Sequence, residues 1–107
     1  MTMCHFIRLT PVGRGAVSSL LVEGCAAAAM VDRFFRGANG QPLVQAVLNR
    51  IYFGHWCHEG CQVGEEVIVC RRDADQIEIH CHGGLSAFTS IDNSLRNAGC
   101  CKIEWPE

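Results

Sequence analysis

The chain lacks several features that would place it at a membrane, outside the cell or on nucleic acid. It has no apolar run near the ~20 residues that a membrane-spanning helix needs. Its formal net charge is −2, so it has no basic field for binding nucleic acid by itself. Residues 1–5 do not resemble the start of a signal peptide, and there is no internal repeat or linker. We therefore expect one cytoplasmic domain, residues 1–107, without membrane contact.

Cysteine, by contrast, is abundant, with eight residues in the chain. An even number in a short chain is typical of a disulfide-bonded secreted protein, but no export signal supports that context. Cys25 precedes a run of alanines and Cys70 follows a run of aliphatic residues, and a thiol in such surroundings packs as a small hydrophobic group. We expect most of the cysteines to be reduced residues of the core.

The pattern of apolar residues predicts an α+β domain. Hydrophobic residues form 49% of the chain and charged residues 19%, which favours a packed globular protein. Two segments have helical spacing, residues 25–36 and residues 85 to about 99, while residues 43–48 suit a strand or a short helical turn. Strands are predicted at residues 4–10, 16–23, 49–56, 65–70, 76–82 and 100–104, with a charged turn at 71–75. The predicted architecture is a mixed β-sheet with about two helices packed on one face.

Residues 77–84, with the sequence IEIHCHGG, are the strongest candidate for a functional site. In a strand, alternate side chains share a face, so Glu78, His80 and His82 lie together and Cys81 points away from both imidazoles. Gly83 and Gly84 follow directly and allow a sharp turn or a close approach of a ligand. The pattern predicts a polar site at this strand end, and the alternative is a solvated polar face.

Two other clusters are weaker candidates. Gly13-Arg14-Gly15 suggests a phosphate-binding loop, but its spacing fails both the P-loop and the dinucleotide patterns. It predicts a tight turn that presents Arg14, with contact to a ligand or partner as the alternative. His55, Cys57, His58 and Cys61 lack the paired spacing of a structural zinc site, so no metal site is predicted, although a small Cys/His metal- or redox-binding module stays open as an alternative.

Two of these stretches together resemble a known family. Residues 10–17, TPVGRGAV, resemble the opening signature TPPGRGGV of the MnmE/TrmE tRNA-modification GTPases, and residues 77–84 resemble that family's LELxGHGG. Residues 99 and 105–107 lie where the family has a glycine and a domain boundary. The resemblance is to the N-terminal domain, which is similar to the tetrahydrofolate-binding domains of one-carbon enzymes. It implies a domain that dimerises and binds a tetrahydrofolate derivative, the one-carbon donor for modifying wobble uridines in tRNA.

The resemblance implies roles for particular residues. Glu78 matches the family glutamate that contacts the folate ring, and a carboxylate suits the donor-rich edge of a pterin. Arg14, His82 and Gly83 match the GRG and HGG signatures and are the other candidates for folate binding. Leu21 stands where the family has an arginine that pairs with the folate, and leucine donates no hydrogen bond. The alternative is therefore a degenerate relative that keeps the fold and the dimer surface without binding folate.

The rest of the family's machinery has no counterpart in these residues. There is no P-loop, so GTP, Mg²⁺ and K⁺ are expected only in a GTPase domain that this chain does not include. We expect no catalytic residue here and no enzyme activity from the domain alone. The resemblance further implies tRNA and a flavin-dependent modification protein as partners of the parent protein.

Overall fold

The computed structural model describes residues 4–10, 17–57, 64–83 and 85–104. Within these residues the chain forms seven strands, two α-helices and one short 3₁₀ turn. None of the described helices is both long and apolar enough to cross a membrane. The elements, in chain order, are β1 (His5–Arg8), β2 (Val17–Glu23), α1 (Ala27–Asp32), β3 (Phe35–Gly37), the 3₁₀ turn (Leu43–Gln45), β4 (Ile51–Trp56), β5 (Glu65–Asp73), β6 (Gln76–His82), α2 (Leu85–Asn97) and β7 (Cys101–Ile103).

The strands form a single sheet in the order β3-β4-β5-β6-β2-β1-β7. All neighbouring strands are antiparallel except β1 and β7, which pair in parallel with His5 opposite Cys101. Helix α2 carries the chain from β6 past β2 and β1 to the far edge of the sheet, where β7 pairs with β1. Such a crossover connection is what allows two strands to pair in parallel. The predicted mixed sheet and α+β class are confirmed.

Both helices pack on one face of the sheet. The alternate residues of the central strands on that face are fully buried, as period-two alternation requires. Phe6, Leu20, Val22, Ile77 and Ile79 supply this layer, and Ala27, Val31, Phe88, Ile91 and Leu95 of the helices cover it. The other face, which carries Ser19, Leu21, Glu78 and His80, is hereafter the open face. Ile51 and Phe53 on that face remain 63% and 67% exposed.

The helix predicted for residues 25–36 is wrong at its C-terminal end. Helix α1 stops at Asp32, and Phe35–Gly37 form the edge strand β3. The reason is tertiary packing: the Phe34 ring stacks on Trp56 at 5.2 Å between centroids, and Phe35 pairs with Trp56 across the sheet. Burial of these aromatic rings outweighs a local preference for about one more helical turn.

The charged turn predicted for residues 71–75 is also too long. Strand β5 continues to Asp73, and only Ala74 and Asp75 form the turn to β6. Arg71 holds this end in place because its guanidinium donates to the carbonyls of Leu43, Val44 and Ala74. Those contacts are non-local and leave no trace in the pattern of apolar residues.

The segment that suited either a strand or a helical turn adopts the turn. Leu43–Gln45 form one turn of 3₁₀ helix, and Leu43 is buried. The Asp32 carboxylate accepts the Leu43 backbone N–H at 2.7 Å, which fixes the start of the turn against the end of α1. A carboxylate in this position satisfies a helix-start donor that would otherwise lack a partner.

Candidate functional site

Glu78 lies at the centre of the open face, in the middle of β6. Its neighbours across the sheet are Leu21 in β2 and Cys70 in β5. The side chain of Glu78 is 21% exposed, so its carboxylate is accessible but partly shielded. The period-two prediction that put Glu78 on a face opposite the core is confirmed.

Both oxygens of Glu78 have partners within the chain. Arg72 Nη1 donates to Oε2 at 2.8 Å, and His80 Nε2 lies 3.1 Å from Oε1. On the other side of the imidazole, Nδ1 lies 2.6 Å from Ser19 Oγ. When the ring hydrogen of His80 is on Nε2, Nε2 donates a hydrogen bond to the Glu78 carboxylate. Nδ1 then has no hydrogen and accepts a hydrogen bond from the Ser19 hydroxyl. Three side chains from three strands, those of Arg72, His80 and Ser19, therefore hold the carboxylate in one orientation.

Arg72 is a site residue that sequence reasoning missed. Its Nε donates to Asn49 Oδ1 at 3.0 Å while Nη1 contacts Glu78, so two hydrogen bonds orient the guanidinium. Asn49 has φ 64°, a left-handed conformation that asparagine tolerates better than most residues. The signal that could have found Arg72 is the alternation of β5: extended beyond Cys70, it puts Arg72 on the face of Glu78.

The network borders two adjoining recesses in the open face. The first, of about 350 Å³, contains Glu78, Arg72 and His80 over the aliphatic side chains of Ile51 and Ile68. The second, of about 430 Å³, is more apolar and shares Ile68 and His80 with the first. Each volume lies at the lower end of the range for small-molecule sites. The arrangement offers a hydrophobic surface with one carboxylate and one guanidinium beside it.

Of the other predicted folate-binding residues, the two that the structure describes, His82 and Gly83, are not in this network. His82 is exposed at the end of β6 and lines the second recess, and Gly83 follows it, half-buried. Arg14 and the surrounding glycine turn lie outside the described residues, as does Gly84. Within the described part of the chain, the structure thus brings Glu78 and His80 into contact, whereas His82 lines the second recess and not the first.

Cys81 points away from the imidazoles, as predicted. It is buried on the helix-covered face with 4% of its surface exposed. Burial raises the pKa of the Cys81 thiol to about 11, an effect that the nearby Arg8 only partly offsets. A thiol with so high a pKa is a poor nucleophile near neutral pH.

We expected most of the cysteines to lie in the core, but only three of the seven described ones are buried. Of these seven, Cys4, Cys81 and Cys100 are buried. Burial and the neighbouring Cys4 thiol both raise the pKa of Cys100. The prediction is wrong for Cys25, which is exposed because α1 begins after it, at Ala27, and turns Ala27, Ala28 and Val31 inward.

No group of three or more His, Cys, Asp or Glu side chains among the described residues could hold a metal ion. Two members of the candidate zinc cluster, His58 and Cys61, lie outside the described residues. His55 of the same cluster is exposed on β4, and Cys57 is half-buried just beyond that strand.

Comparison with known proteins finds tRNA modification GTPases named MnmE. The chain is 34% identical over 95 residues to that of Geobacillus kaustophilus, and 33% identical over 90 residues to that of Bacillus subtilis. The alignments cover 81% and 77% of this chain but only 20% of each relative. The chain thus spans about one fifth of the length of these relatives. No family model matches it. The resemblance to MnmE seen in the two short motifs is confirmed.

Proposed function

Since most of this chain is similar to one fifth of an MnmE tRNA modification GTPase, we propose that it is the N-terminal folate-binding and dimerisation module of such a protein. In this proposal the chain binds a tetrahydrofolate derivative and pairs two copies. Modification of tRNA wobble uridines, GTP hydrolysis with Mg²⁺ and K⁺, and contacts with tRNA and a flavin-dependent partner belong to the whole cytoplasmic protein. The module alone carries no enzyme activity.

The observation that carries the folate proposal is the position of Glu78 beside an aliphatic recess. A pterin ring has a flat apolar surface and an edge with adjacent N–H donors. The Glu78 carboxylate accepts hydrogen bonds from such donors, and Ile51 and Ile68 provide the surface against which a ring packs. Because Arg72 and His80 hold the carboxylate in place, little side-chain entropy is lost when a ligand binds.

The recess also contains a cationic donor. Arg72 is half exposed at 51% and lines the recess beside Glu78, where its guanidinium can donate hydrogen bonds to a ligand. The second recess adjoins the first through Ile68 and His80 and offers further apolar surface. When bound, the folate would supply the one-carbon unit, while the residues of this chain bind and orient it.

Titration calorimetry with 5-formyltetrahydrofolate tests the proposal. We expect measurable binding by the folded chain and a loss of at least about tenfold in affinity for Glu78→Gln, since an amide accepts fewer hydrogen bonds and carries no charge. Glu104→Gln, an exposed carboxylate outside the recess, is the matched control and should bind like the wild type. Absence of heat at high protein concentration, with the fold verified by circular dichroism, would refute folate binding.

Dimerisation is supported by a patch of exposed apolar side chains beside the site. Each of the five is about half exposed or more, and they lie within ten residues of one another: Val44, Val47, Leu48, Ile51 and Phe53. Among the described residues, β4 pairs with β3 over Gly54–Trp56, and the Ala38 N–H adds a hydrogen bond to the Phe53 carbonyl, so the edge of β4 is open only at Ile51 and Tyr52. A contiguous exposed apolar patch on a small domain marks a protein interface, and we assign it to a second copy of this chain.

The second candidate is a dimerisation module that binds no folate. Its basis is Leu21, which puts an aliphatic group next to Glu78 where the family resemblance implies an arginine. The two candidates separate in the same experiments. A chain that sediments as a dimer yet gives no heat with 5-formyltetrahydrofolate would establish the degenerate form.

A further inference from the structure

We propose that Arg72 takes the role of the cation that is absent at Leu21, and that it makes the site select a ring with a carbonyl next to its N–H donors. This inference rests on the proposed folate function. It identifies Arg72, in β5, as a residue that determines ligand specificity. This position lies outside both of the short sequence motifs.

The first support is a β-bulge that separates Arg72 from regular pairing. Arg71 pairs with Ile77 and Asp73 pairs with Gln76, so Arg72 is an extra residue in β5 without a partner in β6. A bulge bends its strand and leaves the extra residue out of the regular ladder, and bulges recur next to functional sites. Here it accompanies a guanidinium that reaches the Glu78 carboxylate from the β5 side, opposite Leu21.

The second support is the way the guanidinium is held. Nε is bound by Asn49 and Nη1 by Glu78, and among the described residues Nη2 has no hydrogen-bond partner. The side chain is half exposed and lines the first recess. A guanidinium has five N–H donors and no acceptor, so the remaining donors are available to a ligand in that recess.

Glu78 and Arg72 lie side by side at the first recess, where the carboxylate accepts hydrogen bonds and the guanidinium donates them. A ligand that complements this edge has N–H groups for the carboxylate and, beside them, a carbonyl oxygen for the guanidinium. A 2-amino-4-oxo pteridine ring meets both conditions, whereas a 2,4-diamino ring has a donor where the carbonyl should be. The 4-amino group would face the N–H groups of Arg72, so neither side would have a hydrogen-bond acceptor. Donors left without an acceptor lower the affinity.

Folic acid and aminopterin provide a pair of probes that differ in the 4-oxo or 4-amino group and in the hydrogen on N3 that accompanies the oxo form. The change at N3 faces Glu78 in wild type and in the Arg72 variant alike, so it cancels when their ratios are compared. Calorimetric dissociation constants are measured for both ligands at pH 7, where both rings are mostly neutral, with wild type, Arg72→Ala and Arg33→Ala. Arg33 is an exposed arginine beyond the end of α1, away from the recess. Its variant controls for the loss of one positive charge.

The readout is the ratio of the two dissociation constants. We expect Arg72→Ala to weaken folic acid binding about tenfold and to shift the ratio at least about tenfold toward aminopterin, the cost of one mismatched hydrogen bond. Arg33→Ala should leave the ratio unchanged. If Arg72 only supported the fold, both ligands would weaken equally and the ratio would stay constant, which overturns the inference while the folate proposal stands. If the folded wild type binds no folate at all, both proposals fail.

Discussion

Leu21 and Glu78 face each other directly across the antiparallel pair of β2 and β6, with both side chains on the open face. Directly opposed residues in such a pair have Cβ atoms about 5 Å apart. The two positions that the family resemblance assigns to an arginine and a glutamate are therefore neighbours in space. By that resemblance, this chain has the carboxylate but carries an aliphatic side chain at the position of the arginine.

Leu21→Arg should strengthen binding of 5-formyltetrahydrofolate by about fivefold or more. The new guanidinium would stand beside the carboxylate and add a charged donor to the recess, and charge-assisted hydrogen bonds are the stronger kind. The measurement is titration calorimetry of the variant against the wild type. In the Arg72→Ala background the same change should restore part of the lost affinity.

The control for that experiment is Ile7→Arg. Ile7 pairs with Leu21 on the side away from Glu78, so its variant adds the same charge to the same face one strand further from the site. An equal gain in affinity from both variants would mean that net charge, not position, causes the effect.

Phe53→Glu should convert a dimer to a monomer without destabilising the fold. The ring is 67% exposed, so little burial is lost in the monomer, whereas a carboxylate in a dimer interface would be desolvated without a partner. Sedimentation velocity at high micromolar concentration measures the change, and the melting temperature should stay within a few degrees. Ala29→Glu, exposed on α1, should remain dimeric. A wild type that sediments as a monomer would contradict the assignment of the patch.

Ile79→Ala should cost about 2–5 kcal/mol of unfolding free energy, and Ile51→Ala well under 1 kcal/mol. Ile79 is 0% exposed between the sheet and the helices, so truncation leaves a cavity, while Ile51 is 63% exposed on the open face. Urea denaturation followed by circular dichroism measures both. Similar costs for the two variants would contradict the assignment of the core to the helix-covered face.

The stability of the chain should fall between pH 9 and pH 11, and Cys81 should account for part of the loss. Burial raises the pKa of this thiol from 9.0 to about 11, so above pH 9 the unfolded chain releases a proton that the folded chain retains. The stabilisation is complete below the unfolded pKa and is lost as pH rises through the folded value. The shift corresponds to about 2–3 kcal/mol.

Urea midpoints between pH 7 and pH 11 measure this dependence. Cys81→Ala should have a shallower alkaline decline than the wild type, and the decline should not vanish because burial also raises the pKa of Cys100. An unchanged slope in Cys81→Ala would show that the thiol is not desolvated in the folded state.

The elements that sequence patterns predicted well are those whose pattern is local. Strand β6 was located because its apolar and polar residues alternate over the whole strand. Helix α2 was located because its apolar residues recur every three or four positions over several turns. Helix α1 was predicted too long because the stacking of Phe34 on Trp56 joins residues far apart in the chain. Propensity is a weak guide where such a contact decides the structure.

By itself, the sequence determined which side chains of β6 face the open side, since alternation is a property of the extended backbone. It also determined the likeness to MnmE, which the two short motifs already carried. Only the tertiary structure decided what surrounds Glu78. The β-bulge at Arg72, the reach of His80 to Ser19 and the pairing of Leu21 with Glu78 all depend on which strands become neighbours and in what register. That choice is made by burial of the whole apolar layer, because a slip of one residue would turn every core side chain to the open face.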